Sequence, residues 1–242
     1  MKTLKILVFL LVFSTFILLG FVFQHTGKVV YEKENAIVTR IIDGDTIETS
    51  IGKVRLLGIN TPEKNNMGYE EAGEFLKPLE GKEIELERGI ENKDKYSRLL
   101  RYVFFGNKLV NKEILENGFG SVYIYEQDKY LRILRKAEEK ARQLEIGIWE
   151  KSKSECADCI LLVELNNKDP GEYVILGNKC EFSCSLDRWT IKDDARNTKK
   201  LDFSIEAFGN KKIEYAGRVW NDVGDSLYLR DDSGLLVLFY RY

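Results

Sequence analysis

The stretch Ala36-Ile37-Val38-Thr39-Arg40-Ile41-Ile42-Asp43-Gly44-Asp45-Thr46-Ile47-Glu48-Thr49-Ser50-Ile51-Gly52-Lys53-Val54-Arg55-Leu56-Leu57-Gly58-Ile59-Asn60-Thr61-Pro62-Glu63 decides how this chain begins to fold. Three β-branched runs, Ala36 to Ile42, Thr46 to Ser50 and Lys53 to Ile59, are separated by Asp43-Gly44-Asp45 and Ile51-Gly52, both of turn composition. A meander of three strands follows. Glu83 to Arg88 and Leu99 to Phe105 read as further strands, while Glu70 to Leu79, Val110 to Asn117 and Lys129 to Leu144 have helical spacing. In the last of these, Leu131, Leu134, Ala137, Ala141 and Leu144 recur three or four apart, an apolar face that must pack on something. Five short strands with helices appended make an α+β arrangement suited to a small, partly open Greek-key barrel.

The whole chain has 242 residues, 44% hydrophobic and 31% charged, which is globular and excludes disorder, collagen and coiled coil. Its single histidine, His25, lies beside the N-terminal apolar run. A histidine triad, a zinc-hydroxide centre or a histidine proton relay is therefore excluded, and catalysis must use carboxylates, Arg, Lys, Tyr, Ser or Cys. With 37 Lys+Arg against 39 Asp+Glu the net charge is −2, so a nucleic-acid function needs a local basic patch.

Lys2 and Lys5 precede an uncharged run from Ile6 to Phe23. At about 1.5 Å per residue it nearly spans a hydrocarbon core of roughly 30 Å. Residues 1–27 are expected to be a transmembrane anchor, N-terminus cytoplasmic, or a signal peptide. Either places the remainder outside the cytoplasm, at the cell surface or secreted. The polar stretch Glu150-Lys151-Ser152-Lys153-Ser154-Glu155 divides the exported part into domains at 28–154 and 155–242.

Asp43-Gly44-Asp45-Thr46 and Arg55 to Glu63 set oxygen ligands, a guanidinium and a carboxylate at the ends of neighbouring strands. Asp94-Lys95-Tyr96-Ser97-Arg98 adds a second arginine just before a strand. Two arginines and a carboxylate beside a hard cation are what phosphodiester hydrolysis requires. Positive groups neutralise charge building on the phosphorane-like transition state, and the carboxylate orients or deprotonates water. Ca²⁺ suits such donors because it accepts carboxylate, amide and carbonyl oxygens in loose geometry. Taken singly, each residue has a plainer role: Asp-Gly-Asp a hairpin turn, Arg55 a salt-bridged strand residue, Glu63 a helix-start acid, Tyr123 and Tyr125 packed rings, Lys129 to Lys140 a solvated helix face.

Together, the three motifs resemble the staphylococcal nuclease (thermonuclease) family from about Ala36 to Trp149, including a Gly147-Ile148-Trp149 that suits the family's last helix. The resemblance implies an OB-fold barrel of five strands with three helices, and Ca²⁺-dependent hydrolysis of DNA and RNA at the 5′ P–O bond. Carried over by position, Arg55 and Arg98 stabilise the transition state and Glu63 activates water. Asp45, Asn60 and the Thr61 carbonyl face the metal, Lys95 and Tyr96 hold a substrate phosphate, and Tyr123 and Tyr125 pack on the nucleoside. The chain departs from the family in having Asn60 where an Asp is usual and Ser97 where a Gly is usual. The alternative function is a catalytically inactive surface protein that binds nucleic acid or serves adhesion.

Beyond residue 155, short strands at Ile160 to Leu165, Glu172 to Leu176, Trp189 to Lys192, Ser226 to Arg230 and Leu235 to Tyr240 suggest a small β-sandwich. Glu172 to Leu176, Ser185 to Asp193 and Val219 to Asp231 resemble the lamin-tail domain, which implies an immunoglobulin-like sandwich with a binding or targeting role toward a surface ligand not identified by sequence. Cys156, Cys159, Cys180 and Cys184 have near zinc-ribbon spacing, but export favours disulfides between the two pairs; structural Zn²⁺ and free thiols are the alternatives. Nothing in the sequence calls for an obligate oligomer.

Asn60 supplies an amide oxygen without charge, so the site is expected to bind Ca²⁺ more weakly than an Asp version. Asn60→Asp should lower the Ca²⁺ concentration for half-maximal hydrolysis, and an unchanged Ca²⁺ titration would remove Asn60 from the ligand set.

Overall fold

The computed structural model describes residues 33–123, 129–168, 171–195, 197–222 and 224–242. The Ile6 to Phe23 run and Tyr125 lie outside the described residues. Among the described residues no helix is long and apolar enough to cross a membrane.

The first part holds β1 (Lys33–Ile41), β2 (Thr46–Thr49), β3 (Gly52–Leu56), β4 (Ile59–Asn60), α1 (Tyr69–Leu76), β5 (Glu83–Lys93), β6 (Leu99–Phe105), β7 (Lys108–Leu109), α2 (Val110–Glu116), β8 (Ser121–Val122) and α3 (Leu131–Gln143). Strands run in the order β3-β2-β1-β5-β6, and β3 pairs again with β6, so the sheet closes on itself. The result is an OB-fold barrel of five strands with three helices, closed where the sequence suggested a partly open one. Period-two alternation fills its interior: Ala36 and Val38 of β1, Val54 and Leu56 of β3, and Ile84 and Leu86 of β5 are all buried in one core. The third expected strand stops at Leu56 instead of Ile59 because Gly58 adopts φ 75°, which bends the chain before β4. Pro78 ends the first helix early, and its last turn becomes a 3₁₀ segment, Lys77–Leu79.

On α3 the expected apolar face packs through Leu134, Ala137 and Ala141, while Leu144 is 57% exposed. One polar residue on that helix, Glu138, is buried.

The second part contains β9 (Ile160–Asn166), β10 (Tyr173–Asn178), β11 (Cys184–Ser185), β12 (Thr190–Lys192), β13 (Thr198–Lys200), β14 (Ser204–Ile205), β15 (Asn210–Glu214), β16 (Ser226–Arg230) and β17 (Leu236–Arg241). They form antiparallel sheets in the orders β15-β10-β9, β13-β12-β16-β17 and β11-β14. A second core gathers Val174, Leu176, Trp189, Ile191, Trp220 and Leu229. Of these strands, β11, β13, β14 and β15 were not expected: β11 and β14 are two residues each, and in β13 and β15 Lys199-Lys200 and Lys211-Lys212 hide any apolar alternation. Strands β13 and β15 are edge strands, where lysine discourages further pairing.

Disulfides join Cys156 to Cys184 and Cys159 to Cys180. With all four sulfurs committed, the structural Zn²⁺ and free-thiol alternatives fall away. Sequence separations of 28 and 21 mean that each bond closes a sizeable loop and stabilises by about 3 kcal/mol.

A third apolar cluster joins the two parts: Ala141, Ile148 and Trp149 pack with Tyr228 and Leu236. The Trp149 and Phe239 rings meet edge-on at 5.1 Å. Leu236 N–H donates to Glu150 O at 2.8 Å and Ser152 N–H to Leu236 O at 2.9 Å, stitching the connecting segment to β17. Beside this cluster the Arg241 guanidinium grips the buried Glu138 carboxylate at 2.6 and 3.0 Å, and Glu138 also accepts the Val122 N–H at 2.7 Å. Arg241→Met would leave Glu138 buried without its cation, a loss of about 3 kcal/mol. Thermal unfolding should then fall by about 6–12 °C; a shift below about 2 °C would show that the pair is not energetically buried.

Candidate active site

The turn after β1 is wedged into the structure. A Cβ on Gly44 would sit 2.5 Å from the Ala72 Cβ of α1 and 2.8 Å from Thr61 Oγ1, so only glycine lets the Asp43–Asp45 loop come this close. That approach aims Asp45 at the β3–β4 corner. Its Oδ2 accepts the Thr61 N–H at 3.1 Å and the Thr61 hydroxyl at 3.3 Å, and its Oδ1 pairs with Arg55 Nε at 3.1 Å. Arg55 also donates to Leu56 O at 2.5 Å and to Asn60 Oδ1 at 3.4 Å.

Barrel closure brings in the second arginine. In the parallel β3–β6 pair, Val54 stands opposite Leu99 and Arg55 opposite Leu100, so Arg98 arrives beside Arg55 and β2. Arg98 Nη1 donates to Thr46 Oγ1 at 3.2 Å, and Thr46 Oγ1 donates to Asp45 Oδ1 at 3.0 Å. Asp94 fixes the loop by accepting Tyr96 N–H and Arg98 N–H at 2.9 Å and Arg98 Nε at 2.7 Å. Burial opposes the Asp94 charge, but these bonds hold its carboxyl below the ordinary value.

Around these groups lies a cleft of about 280 Å³ lined by Asp43, Asp45, Arg55, Asn60, Thr61, Glu63, Lys95, Tyr96, Arg98 and Tyr123. Every residue expected for catalysis, metal or substrate among the described ones is therefore brought together, while the four cysteines lie apart in the second part. Tyr96 is 63% exposed at the rim, with the Lys95 ammonium 5.2 Å and the Arg98 guanidinium 5.5 Å from its ring centre. Pairing of β4 with β8 sets Asn60 opposite Ser121, and Tyr123 N–H bonds to Gly58 O at 3.1 Å, which brings Tyr123 to the same cleft.

Sequence reasoning missed four contributors: Asp43, Thr46, Asp94 and Asp194. The first three sat within the quoted motifs. Asp194 comes from the second part, where no local signal connects it to the barrel. Its main-chain oxygen accepts the Asn60 Nδ2 at 3.1 Å, which leaves Asn60 Oδ1 turned toward Arg55. The second part thereby sets which end of the Asn60 amide faces the cleft.

Burial and the neighbouring Asp45 charge push the Asp43 carboxyl up to about 6, against a backbone hydrogen bond from Asp45 and the Arg55 charge. Two crowded carboxylates next to a neutral amide oxygen form an all-oxygen donor set of the kind a hard divalent cation takes. Among the described residues no group of three or more acidic, histidine or cysteine side chains is assembled for a metal, so such an ion would also need neutral oxygens.

A closed OB barrel carrying two guanidinium groups and acidic oxygens in one cleft defines an enzyme of the phosphodiester-cleaving class. Residues 53–151 match the family model described as Staphylococcal nuclease homologue. The chain is 34% identical over 130 residues to the thermonuclease of Staphylococcus intermedius, an alignment spanning 49% of this chain and 77% of that protein. It is 30% identical over 139 residues to the thermonuclease of Staphylococcus hyicus, spanning 52% and 82% of the two chains. With endonuclease YncB of Bacillus subtilis it shares 37% identity over 133 residues, spanning 49% and 63%. The chain belongs to the staphylococcal nuclease family, and it is a nuclease.

Ser97, the departure from the family's usual glycine, has φ 65°, a left-handed conformation that costs a residue with a Cβ about 1–2 kcal/mol. The loop keeps its shape because Asp94 ties both sides of it. Ser97→Gly should relieve that cost, less the larger backbone entropy that glycine loses on folding. The expected gain is about 1 kcal/mol, read as a rise of about 2–4 °C in the thermal midpoint. An unchanged or lower midpoint would mean the serine is not strained.

Proposed function

We propose that the chain is an exported, Ca²⁺-dependent, sugar-non-specific nuclease that hydrolyses the 5′ P–O bond of DNA and RNA. The observation that carries this reading is the single cleft holding Arg55, Arg98, Glu63 and Asp45. Asp43, Asp45, Asn60 and the Thr61 carbonyl would hold Ca²⁺. When bound, it would withdraw charge from the phosphoryl oxygens.

Around it this chain's own groups divide the work. Glu63 orients a water and takes its proton as the water oxygen bonds to phosphorus, while the P–O5′ bond breaks and the leaving 5′ oxygen takes a proton from solvent to become a hydroxyl. Arg55 and Arg98 donate to the equatorial oxygens as negative charge grows there, and they are already oriented by Asp45, Thr46 and Asp94, so little reorganisation is needed. Lys95 and Tyr96 hold a neighbouring phosphate, and Tyr123 together with Tyr125 offers ring faces to the nucleoside.

Export is supported by the uncharged Ile6 to Phe23 run and by two disulfides, which persist in oxidising compartments. Residues 28–154 form the catalytic domain and 155–242 a lamin-tail-like, immunoglobulin-like sandwich; the separate cores and the antiparallel sheets of the second part support that division.

DNA and RNA degradation by the full chain with Ca²⁺ and with chelator tests the proposal. Chelator should abolish activity, and Glu63→Gln should lower kcat by about 10²–10⁴. Arg55→Ala should lower it by about 10² or more. Full activity in both variants would dismiss the site assignment, and an inactive parent would replace the nuclease with a nucleic-acid-binding protein.

A further inference from the structure

We propose that the basic face of the β13-β12-β16 sheet is a second phosphate-binding site, which takes up the nucleic-acid strand where it leaves the catalytic cleft. The inference rests on the nuclease reading for the identity of its ligand. A cavity of about 440 Å³ opens beside the cleft, and the two share Asn60, Thr61, Pro62 and Asp194 as a common wall. A strand bound in one is thus led into the other.

The far wall of that cavity follows from strand periodicity. Ile191 and Leu229 turn into the second core, so their neighbours Thr190, Lys192, Tyr228 and Arg230 turn to the opposite face. Register completes two rows across the sheet: Lys200, Thr190 and Arg230 in one, Thr198, Lys192 and Tyr228 in the other. Lysine and arginine thus flank a threonine across three adjacent strands, with no acid between them. Like charges at such spacing repel unless an anion lies over them.

The cations of this face are poorly compensated within the protein. Among the described residues, Lys192, Lys200 and Arg230 make no ion pair. Lys192 Nζ donates to the main-chain oxygens of Asp193 at 3.0 Å and Ala195 at 2.6 Å, and Arg230 Nη1 to Gly234 O at 3.0 Å. Burial pushes the Lys192 ammonium below its ordinary value despite the charges of Asp193 and Asp194.

The acids on the same wall are committed elsewhere. Asp194 accepts the Ser226 and Tyr228 hydroxyls at 2.9 and 3.0 Å, and Asp231 accepts the N–H groups of Ser233 and Leu235 at 2.9 Å. Asp232 pairs with Arg188 at 2.8 Å. What remains is a half-sheltered, cationic surface that bears the Thr190 and Thr198 hydroxyls, a combination suited to the phosphates of a single strand.

Fluorescence anisotropy with a labelled single-stranded DNA of about twelve nucleotides, on the full chain carrying Glu63→Gln, tests the site without hydrolysis. Adding Lys192→Gln and Lys200→Gln should weaken binding about tenfold and lower the slope of log affinity against log salt by about one to two. Lys211→Gln, outside the cavity, removes charge without this effect, and Lys192→Arg in place of Lys192→Gln, with Lys200→Gln kept, should recover about half of the lost log affinity. The proposal is overturned if the double variant binds like its parent, if it weakens no more than Lys211→Gln, or if Lys192→Arg restores nothing. Hydrolysis by the unmutated chain is scored separately. Its absence beside an intact binding difference would remove the nuclease reading alone, and its presence without a binding difference would remove the second site alone.

Discussion

Everything functional in this protein depends on the short parallel pairing of β3 with β6. Only that pairing turns an open meander plus a hairpin into a closed barrel. Parallel pairs are slightly less stable per residue than antiparallel ones, and this one spans only Val54 to Leu56 against Leu99 to Arg101. It is held because both strands are anchored on their other sides, β3 by β2 and β6 by β5, and because the shared core fills when the sheet closes. The closure also places Arg55 and Arg98, distant in sequence, on one rim. The meeting of the two arginines is in this sense a by-product of sealing a hydrophobic barrel.

The guanidinium groups on that rim are not held by packing alone. A continuous chain of polar contacts runs from Thr61 through Asp45 to Arg55 and, by way of Thr46, to Arg98 and Asp94. Each acid here orients an arginine without using up its donors, since a guanidinium carries five N–H groups. A chain of net charge −2 thus concentrates and orients positive charge in one cleft, and the overall balance says little about what that cleft can attract.

The second part of the chain does more than follow the first. Its last strand supplies Arg241 to Glu138 of α3, its Tyr228 and Phe239 complete the cluster around Trp149, and its Asp194 carbonyl orients Asn60. Residues 33–242 accordingly behave as one compact unit. An asparagine with one end of its amide committed to a carbonyl presents oxygen, not nitrogen, at the other end. The chain thus keeps an oxygen donor at position 60 without an acid.

The sequence by itself determined most elements, because alternation of period two and spacing of three to four are local properties. Strand Leu99–Phe105 and helix Val110–Glu116 were legible nearly to the residue, and the three motifs named most of the polar cleft residues carried by the barrel, with Asp43 and Asp94 inside them unassigned. Lysine-rich edge strands β13 and β15 were not legible, since their pairing comes from neighbours and not from their own pattern. In the sequence Glu138 is one more polar residue on a charged helix, and only its pairing with Arg241 across the two parts sets it apart. Only the tertiary structure decided that the barrel closes, that cysteines pair across the two Cys-containing segments, and that Asp194 and Lys192 reach the neighbourhood of Asn60. Those are contacts between residues far apart in the chain, and their energy depends on shape and burial that exist only once the cores have formed.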